Sequence, residues 1–191
     1  MYLYRKVLGL SLLMIGIAFS DEFRDELINE NNSNTLTTNH EVIKEQSADG
    51  RDMYEDTVGA WGQGYYGGTR MRGNVYEMTT NRYLIEQQFY FSIDTTTTVH
   101  FTVYECENAL GPCLSLISDI PTESGTGEGW YSSGDIDNVM LESGNYYLIA
   151  VSWDGNAYYS NGHTSTPSFG NVVGIFASGG NGIYPPQDNI N

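Results

Sequence analysis

Short runs of β-branched and aromatic residues, separated by turn residues, recur along most of the chain and restrict the folds it can adopt. Such runs are typical of antiparallel strands and not of helices. Candidate strands with this pattern cover residues 74–79, 84–93, 97–106, 114–120, 129–139, 146–153, 157–160 and 172–177. About eight strands in this length predict an all-β protein, an antiparallel two-sheet β-sandwich of the jelly-roll or immunoglobulin-like kind.

Alternation within two runs indicates which faces are buried. In the run 97–106, Val99, Phe101 and Val103 alternate with more polar residues, which predicts one buried face and one polar face. The run 146–153 is fairly apolar on both faces. It is therefore predicted to be a central strand.

Residues 1–20 have the features of a secretory signal peptide. Arg5 and Lys6 precede an apolar run over residues 7–19, and the small side chains of Ala18 and Ser20 favour cleavage after Ser20. The apolar run is too short to cross a bilayer of about 30 Å as a helix. The mature protein is expected to be secreted and not to span a membrane.

Composition divides the rest of the chain into three segments. Residues 21–58 are polar, with few large apolar side chains, and are predicted to form a flexible leader. The composition changes at residue 59 to glycine, tyrosine and tryptophan. We therefore expect the β-sandwich domain to cover residues 59–180, with a C-terminal tail over residues 181–191.

The chain is strongly acidic, with 24 Asp and Glu against 8 Lys and Arg, a formal net charge of −16. Without the two basic residues of the signal peptide the charge is 6 − 24 = −18, which repels nucleic acid and anionic membranes, so neither is expected as a partner. Residues 83–191 contain twelve acids and no Lys or Arg. Their carboxylates are either solvated singly or gathered around a cation. A marine or halophilic habitat, or selection against trypsin-like cleavage, would produce the same bias.

Calcium is the cation that the acidic spacing suggests. Asp135 and Asp137 are two residues apart, and Asp154 follows the predicted central strand. Hard oxygen ligands at this spacing can converge on one Ca²⁺. The sequence around Asp135 does not match an EF-hand loop.

Cys106 and Cys113 are the two cysteines of the chain. In an oxidising compartment they are expected to pair. Because one ends a strand-like run and the other begins the next, the bond would staple a β-hairpin at its loop. Zinc is not expected, since no histidine lies beside them.

Aromatic pairs near strand ends are the candidate ligand-binding residues. Sugar rings stack on Trp and Tyr, and neighbouring residues of a strand point to opposite faces. One ring of each adjacent pair is therefore expected to be exposed, while most of the others fill the core. The candidate residues are Trp130, Tyr131, Trp153, Tyr158 and Tyr159.

No catalytic constellation is visible, so the chain is not expected to be an enzyme. The histidines are His40 in the leader, His100 on a strand and His163 in a loop, and none adjoins a nucleophile motif. In the carboxylate pairs Glu105 with Glu107, and Asp135 with Asp137, the two acids are two residues apart and could share a face, as glycoside hydrolysis requires. Neither pair lies in an evident cleft, so solvated strand ends are expected.

One segment resembles a known family. Residues 141–151, Leu-Glu-Ser-Gly-Asn-Tyr-Tyr-Leu-Ile-Ala-Val, are similar to the hallmark strand of bacterial pre-peptidase C-terminal domains. The runs 89–94 and 99–104 are similar to the hairpin that precedes this strand in the family. The resemblance covers about residues 73–178. A Gly-x-Tyr-Tyr sequence is also similar to the tyrosine corner of other sandwiches.

The resemblance implies a secreted β-sandwich that accompanies a hydrolase or, as in collagen-binding relatives, attaches to fibrous substrates with Ca²⁺. No peptidase lies within these residues, so binding to an extracellular polysaccharide or matrix protein is the function expected first. The alternatives are a surface or filament subunit that assembles by strand addition through its leader and, last, an accessory or remnant of a secreted hydrolase.

Overall fold

The structure is a computed structural model that describes residues 15–20, 53–58, 65–137, 139–159, 167–177 and 183–190. Their strands are β1 Ile15–Ser20, β2 Met53–Val58, β3 Tyr65–Gly67, β4 Arg70–Met78, β5 Arg82–Ile93, β6 Thr98–Cys106, β7 Cys113–Glu123, β8 Gly127–Ser132, β9 Val139–Leu141, β10 Tyr146–Trp153, β11 Ala157–Tyr159 and β12 Gly170–Ala177. They form two antiparallel sheets, so the predicted all-β sandwich is confirmed. None of the described residues belongs to a helix that could cross a membrane.

The long strand β5 is the spine of a seven-stranded sheet. Along one edge it pairs with β9 and then β8, and along the other with β1 and then β11. β2 extends the sheet beyond β1, and β3 extends it beyond β11. The half of the sheet that contains β8, β5, β11 and β3 carries the surface described below.

The second sheet has five strands in the order β12-β4-β10-β6-β7. β10 lies in the middle, as its apolar sequence predicts, and its side chains from Tyr147 to Trp153 are all buried. Gly73 faces this strand so closely that a Cβ would lie 2.3 Å from the Ile149 carbonyl oxygen. β4 therefore needs glycine at this point.

Aromatic rings dominate the core between the sheets. Trp153 is fully buried and lies 5.4 Å from Phe91 and 5.3 Å from Tyr159, measured between ring centroids. Arg72 is buried beside this cluster, with its guanidinium 5.1 Å from the Tyr159 ring and an N–H donated to the Tyr159 hydroxyl at 3.0 Å. The hydrogen bond and the ring stabilise the buried cation.

The C-terminal segment 183–190 covers the outer face of the five-stranded sheet. Ile190 is 2% exposed and its backbone pairs with Cys113, while the Leu116 N–H donates to Asp188 at 2.9 Å. Residues 183–190 of the predicted C-terminal tail therefore pack against this sheet. The cover also explains why β10 is apolar on both faces.

The Cys106–Cys113 disulfide is present and joins directly opposite residues of β6 and β7. The predicted staple at the hairpin loop is confirmed.

A tyrosine corner lies at the start of β10. The Tyr147 hydroxyl accepts a hydrogen bond from the Glu142 N–H at 3.2 Å, five residues upstream. Gly144 in the intervening turn has a φ of +88°, a conformation that favours glycine. The Gly-x-Tyr-Tyr sequence thus performs the structural role that it has in other sandwiches.

The sheet begins earlier in the chain than residue 59. Val58 is 1% exposed and packs in the core, and β1 lies between β2 and β5. Strand pairing therefore extends to residues that precede the predicted domain start at residue 59. Most of the predicted leader lies outside the described residues, and so do His40 and His163.

Candidate functional site

The outer face of the seven-stranded sheet follows from alternation along β5. Phe89, Phe91 and Ile93 point into the core and are almost completely buried. Tyr90 and Ser92 therefore point outward. Residues of the neighbouring strands that pair with Tyr90 and Ser92 lie on the same outer face.

β8 contributes a tryptophan to this face. Trp130 lies directly opposite Tyr90 in the strand register and is 41% exposed. The two ring centroids are 5.4 Å apart, with the planes inclined at 73°. Such an edge-to-face contact holds both rings while one face stays accessible.

β11 and β3 contribute two tyrosines on the other side of β5. Tyr158 lies opposite Ser92, and Tyr66 lies opposite Tyr158. Both are 50% exposed, and their ring centroids are 4.5 Å apart. Two half-exposed rings in contact form an unusually open apolar surface.

We call Tyr66, Tyr90, Trp130 and Tyr158 the aromatic face. It crosses β8, β5, β11 and β3, a width of roughly 14 Å for three strand spacings. Tyr158 and Tyr90 are diagonal neighbours, whose backbones in an antiparallel pair lie about 7 Å apart. The four rings therefore form two contacting pairs, Tyr90 with Trp130 and Tyr66 with Tyr158, that lie side by side on one sheet face.

Carboxylates fix two of the four rings. The Tyr66 hydroxyl donates to Asp94 at 2.7 Å, and the Tyr90 hydroxyl donates to Glu128 at 2.7 Å. Each hydrogen bond raises the pKa of its tyrosine above the ordinary value, because ionising the hydroxyl would remove the donated proton beside a negative charge. Both hydroxyls stay protonated at neutral pH.

Of the five aromatic residues predicted from the sequence to bind a ligand, two lie on the aromatic face and three do not. Trp130 and Tyr158 belong to the aromatic face. Tyr131 points inward and packs against Phe91 at 4.7 Å, and Tyr159 is 2% exposed. Trp153 is fully buried, so Trp153 and Tyr159 are core residues, while Tyr131 is partly buried and packs against the core. None of these three side chains belongs to the aromatic face.

Tyr66 and Tyr90 belong to the aromatic face although their sequence context did not single them out. Tyr90 stands between two phenylalanines, and strict alternation around Phe89 and Phe91 is the signal that could have placed it outward. Tyr66 meets Tyr158 across 92 positions of sequence. Only the pairing of β3 with β11 reveals that contact.

The acids predicted to bind calcium are not brought together. Asp135 and Asp137 flank Ile136, whose N–H bonds to the Ile85 carbonyl near the start of β5. Asp154 lies near the far end of β5, where its neighbour Gly155 approaches Thr95. Nine residues of strand correspond to roughly 30 Å, so one ion cannot bind both groups. Among the described residues, no group of three or more His, Cys, Asp or Glu side chains could hold a metal ion.

His100 has a carboxylate and a serine as neighbours, the residue types of a catalytic triad. Its Nδ1 lies 2.8 Å from Asp119, and Ser152 is opposite it in the register. The Ser152 hydroxyl, however, donates to the Ile183 carbonyl and is buried beneath the C-terminal segment. A triad serine would have to donate to histidine, so this cluster anchors the segment.

One cavity of about 340 Å³ combines apolar and acidic groups and is lined by Glu105, Ile117, Val139, Met140, Glu142 and Tyr147. It brings Glu105 together with Glu142, whereas the spacing had paired Glu105 with Glu107. The Tyr147 hydroxyl at its wall already accepts the hydrogen bond of the tyrosine corner.

These features define the chain as an antiparallel β-sandwich with an exposed aromatic sheet face. In comparisons with family models, with curated proteins and with solved structures, nothing matches this chain.

Proposed function

We propose that this chain is a secreted binding module that attaches to extracellular polysaccharide through the aromatic face. The observation that carries the proposal is the exposure of Tyr66, Trp130 and Tyr158, at 50%, 41% and 50%, on one sheet face. Large aromatic rings that contact one another at an exposed sheet face are typical of an interaction surface.

The chemistry of the face suits a carbohydrate. The ring C–H groups of a sugar carry partial positive charge and stack on the negative face of an aromatic ring. The bordering carboxylates can accept hydrogen bonds from sugar hydroxyls. A face that crosses four strands suits an extended chain that lies across the sheet.

Two expectations from the sequence agree with an extracellular role. The predicted signal peptide directs export, and the Cys106–Cys113 disulfide is a bond that persists in oxidising compartments. The resemblance to secreted pre-peptidase C-terminal domains supports attachment to an extracellular matrix.

A pelleting assay with insoluble polysaccharides tests the proposal. We expect the purified chain to sediment with at least one polysaccharide and Trp130→Ala to weaken that binding about tenfold or more, as central aromatic residues do in interfaces. Ile175→Ala is the matched control, because Ile175 is 46% exposed on β12 of the other sheet. Retained binding by Trp130→Ala, or loss by the control as well, would contradict the assignment.

Strand addition is the second candidate, and one observation favours it. β1 is an inner strand of its sheet, yet it lies within the predicted signal peptide. Cleavage after Ser20 would remove it and expose the hydrogen-bonding edge of β5 between Tyr83 and Gln87. An open edge of this kind accepts a strand from another chain, and the leader of a neighbouring copy is the nearest source.

Sedimentation of a chain that begins at Asp21, without any polysaccharide, separates the two candidates. Assembly into oligomers that the chain with residues 1–20 does not form would support strand addition. A monomer that pellets only with polysaccharide would support the binding module alone.

A further inference from the structure

Tyr66 and Tyr158 form a pair of phenol rings that are in contact with each other and open to solvent. They lie directly opposite each other on β3 and β11, with ring centroids 4.5 Å apart and planes inclined at 43°. Each side chain is 50% exposed. The strand pairing therefore holds the two rings together, and a reagent in solution can reach both of them.

A carboxylate lies at the hydroxyl of one member of this pair. The Tyr66 hydroxyl donates to Asp94 at 2.7 Å, a distance at which a positioned base can take a proton directly. Removing an electron from a phenol makes its hydroxyl strongly acidic. Because Asp94 can accept that proton as the electron leaves, it lowers the barrier to one-electron oxidation of Tyr66.

We infer that Tyr66 and Tyr158 are a site of oxidative cross-linking, at which a haem peroxidase and hydrogen peroxide join the two rings as dityrosine. The inference concerns covalent modification of the aromatic face and does not depend on the proposed binding of polysaccharide. An oxidising compartment, in which the Cys106–Cys113 disulfide persists, is also where such a reaction has its oxidant.

The chemistry of the cross-link balances with peroxide as the oxidant. The peroxidase takes one electron from each phenol, while the Tyr66 proton passes to Asp94 and the Tyr158 proton passes to water. The two radicals couple through the carbons ortho to their hydroxyls, and the hydrogens on those carbons then move to oxygen and restore both hydroxyls. The protein loses two hydrogen atoms in total, and hydrogen peroxide becomes two molecules of water.

Contact between the rings makes coupling within one chain faster than coupling between chains. Two groups held together react as if each were present at a very high concentration. Tyr90 provides the matched comparison, because its hydroxyl also donates to a carboxylate, that of Glu128 at 2.7 Å, but the ring beside it is Trp130. We therefore expect the cross-link at Tyr66 and Tyr158 and not at Tyr90.

Oxidation of the purified full chain in dilute solution, with a haem peroxidase and hydrogen peroxide, tests the inference. We expect dityrosine fluorescence in the monomer fraction after separation under denaturing conditions, and a mass lower by two hydrogen atoms. Digestion with pepsin should release a linked peptide pair that contains Tyr66 and Tyr158.

Variants assign the cross-link and the role of the carboxylate. Tyr66→Phe and Tyr158→Phe should each abolish the monomer fluorescence, whereas Tyr90→Phe should leave it as in the wild type. Asp94→Asn keeps an oxygen that can accept the Tyr66 hydrogen bond but is not a base. It should slow formation of the same cross-link several-fold.

Each contrary result has a definite meaning. Absence of dityrosine from the monomer, or fluorescence that persists in Tyr66→Phe, overturns the inference. Equal cross-linking of the urea-unfolded wild type also overturns it, because the sheet would then not be what brings the rings together. An unchanged rate in Asp94→Asn would overturn the role of the carboxylate. The polysaccharide assay is run on chain that has not been oxidised, so none of these results decides the proposed function.

Discussion

At the scale of single residues, Tyr76 links ionisation to unfolding. It is fully buried, its ring centroid lies 5.3 Å from that of Phe169, and its hydroxyl accepts a hydrogen bond from Asn74 at 3.4 Å. Burial raises the pKa of Tyr76 well above its ordinary value of about 10. The contribution to stability is complete below about pH 10 and is lost as pH rises toward the folded-state pKa.

Replacing this hydroxyl should make the protein less sensitive to alkali. Above about pH 10, each such tyrosine lowers the free energy of unfolding by about 1.4 kcal/mol per pH unit. We expect the free energy of unfolding of Tyr76→Phe to fall less than that of the wild type between about pH 8 and about pH 10.5, measured by urea unfolding. The higher pH is still below the range in which folded Tyr76 ionises. The value at the lower pH is the internal control. A slope equal to that of the wild type would show that Tyr76 ionises alike in both states.

Single residues also show where prediction from sequence ends. The pairs Trp130-Tyr131 and Tyr158-Tyr159 must each send one ring outward because of the strand pleat. Which ring does so depends on the register with β5, and a shift of one residue would exchange them. Trp153 lies in an alternating run whose two faces are both buried, so its sequence alone could not exclude it from the surface.

At the scale of elements, the C-terminal segment acts as a cover for the five-stranded sheet. Ile190 and Ile183 pack in a second apolar cluster with Tyr104 and Leu148. Deleting a large aliphatic side chain from such a site costs about 2–5 kcal/mol. We expect Ile190→Ala to lower the free energy of unfolding toward the low end of that range, measured by urea denaturation.

Gln187→Ala is the matched control, because Gln187 is exposed on the same segment. It should leave stability within about 0.5 kcal/mol of the wild type. If Ile190→Ala were equally silent, the segment would not be a structural part of the domain.

The strands differ in how well their own sequences predict their position and bounds. β10 was predicted as a central strand because both of its faces are apolar, and the cause is now visible as the second sheet on one side and the C-terminal segment on the other. The single run predicted over 129–139 is two strands, since residues 133–137 leave the ladder while Ile136 stays in the core. β1 pairs with β2 and with β5, and this pairing defines both β1 and β2 as strands of the sheet. Local sequence does not encode such pairing.

At the scale of the whole molecule, charge is the dominant feature. The chain carries a formal charge of −16, and Arg72, one of its few cations, is buried between the sheets. Surface carboxylates that repel one another destabilise the compact state, and salt screens that repulsion. Stability should therefore rise with ionic strength.

Thermal unfolding can separate screening from specific calcium binding. Raising NaCl from about 10 mM to about 500 mM should increase Tm by a few degrees, as screening of surface charge predicts. At constant ionic strength, a few millimolar CaCl₂ should then act no differently from MgCl₂, because Asp135 and Asp137 lie roughly 30 Å from Asp154 along the sheet. A larger rise in Tm with Ca²⁺ than with Mg²⁺ would mean that oxygen ligands do converge on the larger ion. Asp135→Asn and Asp154→Asn would then show which end of β5 holds the ion.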